Sequence, residues 1–351
     1  MTAAPSTGGK ANSPAPALFA LPASSRAREV RASASGRVLA CLDDSAFGET
    51  VLQHALSVAR GLDLSVAAAR VIETAHEFNR PADPIEWQMR RREGRRRLDH
   101  LVGARAAGAA GIESVLLAGA PADELTAWAK DHEITLMALG THERSADEAG
   151  LGATAQKVLE RAPASLLLVP MSRRFRPKLP YQRLLVPLDG SPRAESVLPI
   201  AVRIARAHGA ELILAHAVPA FAIAGFGSSG QAGELCSQLA RQNEAGAREY
   251  LDGFQTQLWK ERLPVRSIVA SNGDPRTKLR QLAIDQHVDL IVVASHGRSG
   301  MADVPCGSVT EYLATHAPAP LLIVRPNFAH VFSEKPGAGS DDIRPLSFEY
   351  V

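Results

Sequence analysis

Residues 183–191 read Arg-Leu-Leu-Val-Pro-Leu-Asp-Gly-Ser, and residues 37–45 read Arg-Val-Leu-Ala-Cys-Leu-Asp-Asp-Ser. Each is a short aliphatic run that ends on a small polar cluster holding an Asp. The likeness continues downstream in the same order. Leu136–His142 (Leu-Met-Ala-Leu-Gly-Thr-His) matches Ile291–His296 (Ile-Val-Val-Ala-Ser-His), and Ala162–Pro170 matches Ala317–Pro326. Three ordered matches define an internal repeat. The spacing grows from the Arg37/Arg183 pair to the Ala162/Ala317 pair. The second copy therefore carries inserted residues, mostly between its second strand and the next helix.

Near-continuous apolar runs predict strands at Val38–Leu42, Leu64–Val71, Ser114–Ala118, Leu136–Gly140 and Leu166–Val169. The second copy repeats them at Leu184–Leu188, Leu212–Val218, Val265–Ala270, Leu290–Ala294 and Leu321–Val324. Such runs belong to strands buried on both faces. The stretches between them, such as Thr50–Leu62 and Ser196–His208, are apolar at i, i+3 and i+4, as core-facing helices are. Five strands alternating with four helices per copy predict an α/β fold of two tandem doubly wound, Rossmann-like parallel sheets. Ligands of such sheets bind at the carboxyl ends of the strands, where the strand order reverses.

Composition narrows the function. Lys plus Arg is 39 and Asp plus Glu is 37, a net charge of +2 that excludes a dedicated nucleic-acid binder. Aromatics at 5% leave an aliphatic core, suited to helices on a parallel sheet. Cys41, Cys236 and Cys306 are too few and too scattered for a disulfide framework or a zinc site. Their odd number fits a reducing cytoplasm. No apolar run reaches the ~18 residues of a membrane span. Residues 1–35 are rich in Ala, Pro, Ser and Gly; they read as disordered and not as a signal peptide. Residues 327–351 read as a similar tail, and the Pro/Arg stretch 171–180 reads as a linker between modules at 36–170 and 181–326.

The loop after Ala294 runs Ser-His-Gly297-Arg-Ser-Gly-Met-Ala-Asp-Val-Pro-Cys-Gly307-Ser308-Val309 and then becomes helical. Glycines at 297, 300 and 307 let backbone N–H groups approach an anion and tolerate positive φ. A helix start at Gly307-Ser308 offers free donors and the positive end of a dipole. Ser308-Val-Thr-Glu311 matches a capping box, which makes Ser308 the expected N-cap. The plainer reading is a glycine-rich surface loop with an ordinary cap, and spacing alone leaves the two even. At the end of the module's first strand, Asp189 precedes Gly190-Ser191-Pro192, where Ser191 suits a cap and Pro192 a first helical turn. Asp189 can orient a ligand's hydroxyl or base edge across the crevice, or only stabilise its own loop.

Taken together, these residues resemble the universal stress protein family. Its nucleotide motif (Gly, two residues, Gly, nine residues, Gly, then Ser or Thr) is matched here by Ala294, Gly297, Gly307 and Ser308, with only the first glycine changed. The resemblance covers 36–170 and 181–326, as in a tandem member. It implies Pro187, Asp189 and Ala217 around adenine and ribose. It places Gly297, Gly307 and Ser308 on the phosphates, with Ala294, His296 and Val309 beside them. The implied ligand is ATP, accompanied by Mg2+ or Mn2+. It also implies that the two modules pair through Leu166–Val169 and Leu321–Val324, which shields two exposed edges; a homodimer of such chains is compatible with that pairing.

The first copy departs from the motif. Its loop is Gly140-Thr-His-Glu143-Arg-Ser-Ala-Asp147-Glu148-Ala-Gly-Leu-Gly152-Ala153, with Glu143 at the second glycine and Ala153 opposite Ser308. Carboxylates at 147 and 148 would repel a polyphosphate. Asp43 remains, while Cys41 replaces the proline. Weak or no ATP binding is expected there, leaving a structural role, an uncharged ligand, or adenosine or AMP.

Other features are weaker. Arg90–Arg97 is the densest basic run, but Glu86/Arg90 and Glu93/Arg97 fall at i, i+4 and predict a solvated, ion-paired helix face. Trp87 reads as a packing anchor. No two of the 11 histidines make a metal motif. His142 and His296 hold equivalent positions after their strands. Cys306, at a helix start, is either acidified and oxidisable or a small packing residue. The glycine-rich stretch 219–233 reads as a cover over the second site. No catalytic triad or paired carboxylates are legible. The favoured function is a cytoplasmic ATP-binding regulatory module of the stress response. The alternatives are a slow ATP hydrolase or nucleotide transferase, and a nucleotide-free scaffold.

Overall fold

The computed structural model describes residues 36–43, 45, 47–73, 83–103, 111–142, 150–171, 178–219, 231–297 and 305–333. The first module runs β1 (Arg37–Leu42), α1 (Gly48–Leu62), β2 (Ser65–Ile72), α2 (Pro84–Gly103), β3 (Glu113–Ala118), α3 (Pro121–Asp131), β4 (Ile134–His142), α4 (Ala153–Arg161) and β5 (Ser165–Met171). The second runs β6 (Arg183–Pro187), α5 (Pro192–Glu195), α6 (Leu198–His208), β7 (Glu211–Pro219), α7 (Gln231–Lys260), β8 (Val265–Gly273), α8 (Pro275–Asp285), β9 (Leu290–Ala294), α9 (Ser308–His316), β10 (Leu321–Val324) and α10 (Pro326–Ser333). All ten expected strands are present, within a few residues at their ends.

The strand order is β3-β2-β1-β4-β5-β10-β9-β6-β7-β8. Each half is parallel, with the order reversing beside β1 and beside β6. At the centre, β10 meets β5 in an antiparallel ladder that sets Leu321 opposite Leu168 and Ile323 opposite Leu166. Alternate residues of β1 go to opposite faces. Val38 and Ala40 join one apolar core under α1, α6 and α7, while Leu39 and Cys41 join another under α3, α4, α8 and α9. Both cores run across the β5–β10 seam, so the two halves share their interior. On one face α1 packs on α6 so closely that a Cβ on Gly61 would lie 3.1 Å from Ile204 Cα.

The helix expected over Ser196–His208 is present as α6, beginning at Leu198, with the short α5 before it. Pro199, in the first turn of α6, lacks an N–H and its ring crowds the carbonyl four residues back, which keeps α5 and α6 apart. The structure differs from the sequence expectation in two places. Residues 327–333, expected as the start of the tail, are helical. Pro326 opens α10, whose Phe328 and Ala329 are buried, and Arg203 of α6 lies over the Phe332 ring at 5.3 Å. The connection before α7 (220–230) is no longer than that before α2 (73–83); the extra length expected there lies instead in α7, 30 residues against 20 in α2, and beyond it. The N-terminal segment, most of the linker and the end of the tail lie outside the described residues.

Candidate functional site

The cleft of the second module opens at the carboxyl ends of β6, β7 and β9. It is a cavity of about 450 Å³. Pro187 and Asp189 line one side and Ala217 of β7 the next. Ala294, His296 and Gly297 line the end of β9, and Gly307, Ser308 and Val309 the start of α9. The structure thus brings all nine residues singled out from the sequence to one cavity. The sequence reading missed Pro275 and Leu279 of α8, and Thr310, which line it too. The Asp274-Pro275 cap at the end of β8 was the signal for α8. For Thr310 no sequence signal stood out: its hydroxyl donates to the Ala294 carbonyl at 2.9 Å and pins α9 to β9.

Asp189 Oδ1 accepts hydrogen bonds from the Ser191 amide (3.0 Å) and the Ser191 hydroxyl (2.6 Å). Ser191 in turn caps α5 by accepting from the Ala194 amide at 3.2 Å. The loop-stabilising role of Asp189 is therefore real, and the residue lines the cleft as well. A Cβ on Gly297 would stand 2.2 Å from Asp189 Oδ2. A side chain at 297 would therefore push that carboxylate aside. Gly307 has φ −71°, which any residue can adopt, and a Cβ there would meet nothing closer than 3.7 Å. The expectation of a positive φ at 307 is thus corrected; Gly300 lies outside the described residues. The Gly307 amide donates to the Ser295 carbonyl at 2.8 Å, which folds the loop end back onto the strand.

Ser308 is not the N-cap. Gly307 takes that place, Ser308 is the first residue of α9, and no side chain caps the helix. Ser308, Val309 and Thr310 of the first turn line the cavity, and a hydroxyl at the first helical position does not fold back on that turn's amides. Cys306 is buried, and burial pushes its thiol up to about 11, aided by Glu311 and opposed by Arg325. It packs the loop; the acidified alternative is overturned. Tyr250 of α7 donates to Glu195 Oε1 at 2.8 Å and meets the His216 ring edge-on. Burial and that carboxylate raise its pKa. The stretch read as a cover over the cleft falls mainly on 220–230, outside the described residues.

The corresponding cleft of the first module is a cavity of about 730 Å³. Asp43 Oδ1 accepts from the Ser45 amide and hydroxyl at 3.0 and 2.6 Å, the same turn as Asp189 and Ser191. Gly152 is the N-cap of α4, with φ 74°, and Ala153 the first residue. They sit as Gly307 and Ser308 do in α9. Glu143, Asp147 and Glu148 lie outside the described residues. The cleft is charged on both signs. Arg70, nearly buried, and Arg90 and Arg97 of α2 line it with Asp43, Glu73 and Glu93. Arg90 and Arg97 make the expected pairs with Glu86 and Glu93. The basic run is thus also a wall of this cleft, which an uncharged ligand would fit poorly. Among the described residues no group of three or more His, Cys, Asp or Glu is placed to hold a metal ion, and no helix is long and apolar enough to cross a membrane.

Fold and clefts define a tandem doubly wound α/β protein with a crevice at each reversal of strand order. The profile of the universal stress protein family matches it twice, over residues 35–170 and 180–325. The chain belongs to that family. Universal stress protein Rv2005c of Mycobacterium tuberculosis is 28% identical over 198 residues, 55% of this chain and 63% of that protein. The chain thus spans less than two thirds of that relative's length. Universal stress protein MJ0577 of Methanocaldococcus jannaschii is 25% identical over 157 residues, 41% of this chain and 95% of that one. A universal stress protein structure from Archaeoglobus fulgidus superposes with a TM-score of 0.56 at 17% identity, covering 82% of this chain and 98% of that one. At that identity it speaks to the fold alone.

Proposed function

We propose that the second module holds an adenine nucleotide, ATP with Mg2+ or Mn2+, and that the chain is a cytoplasmic regulatory protein of the stress response. One observation carries this reading: α9 starts at the cavity with no side chain capping it, between glycines that keep Cβ atoms out of the way. Those amides suit a polyphosphate. Pro187, Asp189 and Ala217 form the side that would take base and ribose, and Ala294, His296 and Val309 line the passage between. A cation accompanying the nucleotide would be held by the phosphates, keeping several waters. In the first module α4 begins with Ala153 where the second has Ser308, and Glu143 stands where the second has Gly297; although arginines as well as carboxylates line that cleft, it binds ATP weakly or not at all. The two modules act as a pair within the chain, and light scattering reports whether two chains join further.

Titration of ATP with magnesium against wild type, Ser308→Ala and Gly307→Glu tests the reading. One site per chain is expected, weakened in the first variant and lost in the second. A Cβ at 307 would meet no atom closer than 3.7 Å, so the effect of a Glu there is expected to fall on the ligand rather than on the fold. Two equal sites per chain would refute the asymmetry. Phosphate release abolished by Asp189→Ala would instead favour the slow hydrolase.

A further inference from the structure

α5 is a single turn of four residues, Pro192–Glu195, too short to hold a helical shape by itself. Its two ends are held instead. At the start, Asp189 Oδ1 takes the Ser191 amide and hydroxyl, and Ser191 caps the turn through the Ala194 amide. At the end, the Tyr250 hydroxyl of α7 donates to Glu195 Oε1 at 2.8 Å. Tyr250 is itself fixed: its ring meets His216 of β7 edge-on at 6.1 Å and Phe254, one turn further along α7, at 5.2 Å. Its pKa is raised by burial and by Glu195, with the Asp189 charge adding to the rise and the Gly190 amide opposing it. The hydroxyl therefore faces the 189–191 turn as well as the end of α5. Asp189 and His216 line the nucleotide cleft, and Tyr250 stands behind them. The first module has the same turn at Asp43 and Ser45 without this tether. Its α2 contains no tyrosine, and Glu49, in the place of Glu195, is met by Gln53 of its own helix at 3.3 Å.

We infer that Tyr250 is a positioning residue of the second cleft. By holding Glu195 it fixes α5, and through Ser191 it fixes the Asp189 carboxylate on the side that would take base and ribose. The inference rests on the nucleotide reading of that cleft. The tether is a hydrogen bond to a carboxylate, the stronger kind, between residues 55 positions apart. It ties the end of β6 to α7 rather than to its own neighbours. Without it the turn keeps its local bonds but samples several orientations. A ligand must then select the competent one, and its affinity falls with the population of that orientation. Tyr250 acts on the ligand only through Asp189.

Amide hydrogen exchange and titration with magnesium-ATP test this on the full chain, in wild type, Tyr250→Phe, Glu195→Ala and Glu195→Gln. Phe keeps the ring packing and removes only the hydroxyl, while Gln keeps an acceptor oxygen. In Tyr250→Phe and Glu195→Ala the Ser191 and Ala194 amides are expected to exchange about tenfold faster and ATP to bind about tenfold more weakly. Glu195→Gln should stay near wild type on both counts. The Ser45 amide of the first module, bonded to Asp43 in the same way, is the reference and should not change. Three exchange results overturn the inference: no change in Tyr250→Phe, equal quickening at Ser45, or Glu195→Gln as fast as Glu195→Ala. So does full ATP affinity in Tyr250→Phe beside binding in wild type. A wild type that binds no ATP refutes the nucleotide reading alone, and the exchange rates still decide whether Tyr250 holds the turn.

Discussion

Gly297 and Gly307 look alike in the sequence, and the structure separates them by what surrounds each. A Cβ at 297 would stand 2.2 Å from Asp189 Oδ2, whereas at 307 the nearest atom is 3.7 Å away. Gly297→Ala is expected to displace Asp189, cost about 1–3 kcal/mol of stability and weaken nucleotide binding. Gly307→Ala is expected to leave stability within about 0.5 kcal/mol. Urea denaturation of the two variants side by side checks this, and equal losses would refute it. Cys306 was ambiguous for a similar reason. Its place at a helix start was legible, but its burial, which decides its acidity, comes from strands distant in sequence.

Helices meet across the modules through a buried polar cluster that no motif announced. His54 of α1 shares a 2.9 Å hydrogen bond with Tyr181 Oη. The Tyr181 amide donates to His208 Nδ1 at 3.3 Å, and His208 Nε2 donates to the Ser57 carbonyl at 3.2 Å. Burial lowers both histidines, His54 from 6.5 to about 4. The unfolded chain takes protons below pH 6.5 that the folded chain resists. The stability is therefore full above that pH and drains as pH falls towards 4, by on the order of 3 kcal/mol for His54. Unfolding midpoints measured between pH 7 and 4 should show the slope, and His54→Asn should flatten it. An unchanged slope in that variant would assign it elsewhere.

Across the whole molecule, ten strands form one sheet because two five-stranded edges close on each other. Leu322 is fully buried there, paired with Leu167 and with Val292. Leu322→Glu would place a carboxylate in that seam, at a cost of more than about 3 kcal/mol. It should lower the urea midpoint sharply and part the two modules into separate transitions. A single transition at the wild-type midpoint would mean that the seam contributes little.

The repeat, the ten strands and the residues of the second cleft were all legible in the sequence. Local physics governs them: apolar runs bury, glycines admit backbone, and a strand end followed by a helix start makes a crevice in any sheet of this kind. The cap at Gly307, the buried thiol of Cys306, the arginines walling the first cleft and the His54–Tyr181–His208 cluster were not legible. Each depends on which distant segments pack together, and that is decided only when two sheets join and bring residues more than a hundred positions apart into one low-dielectric interior.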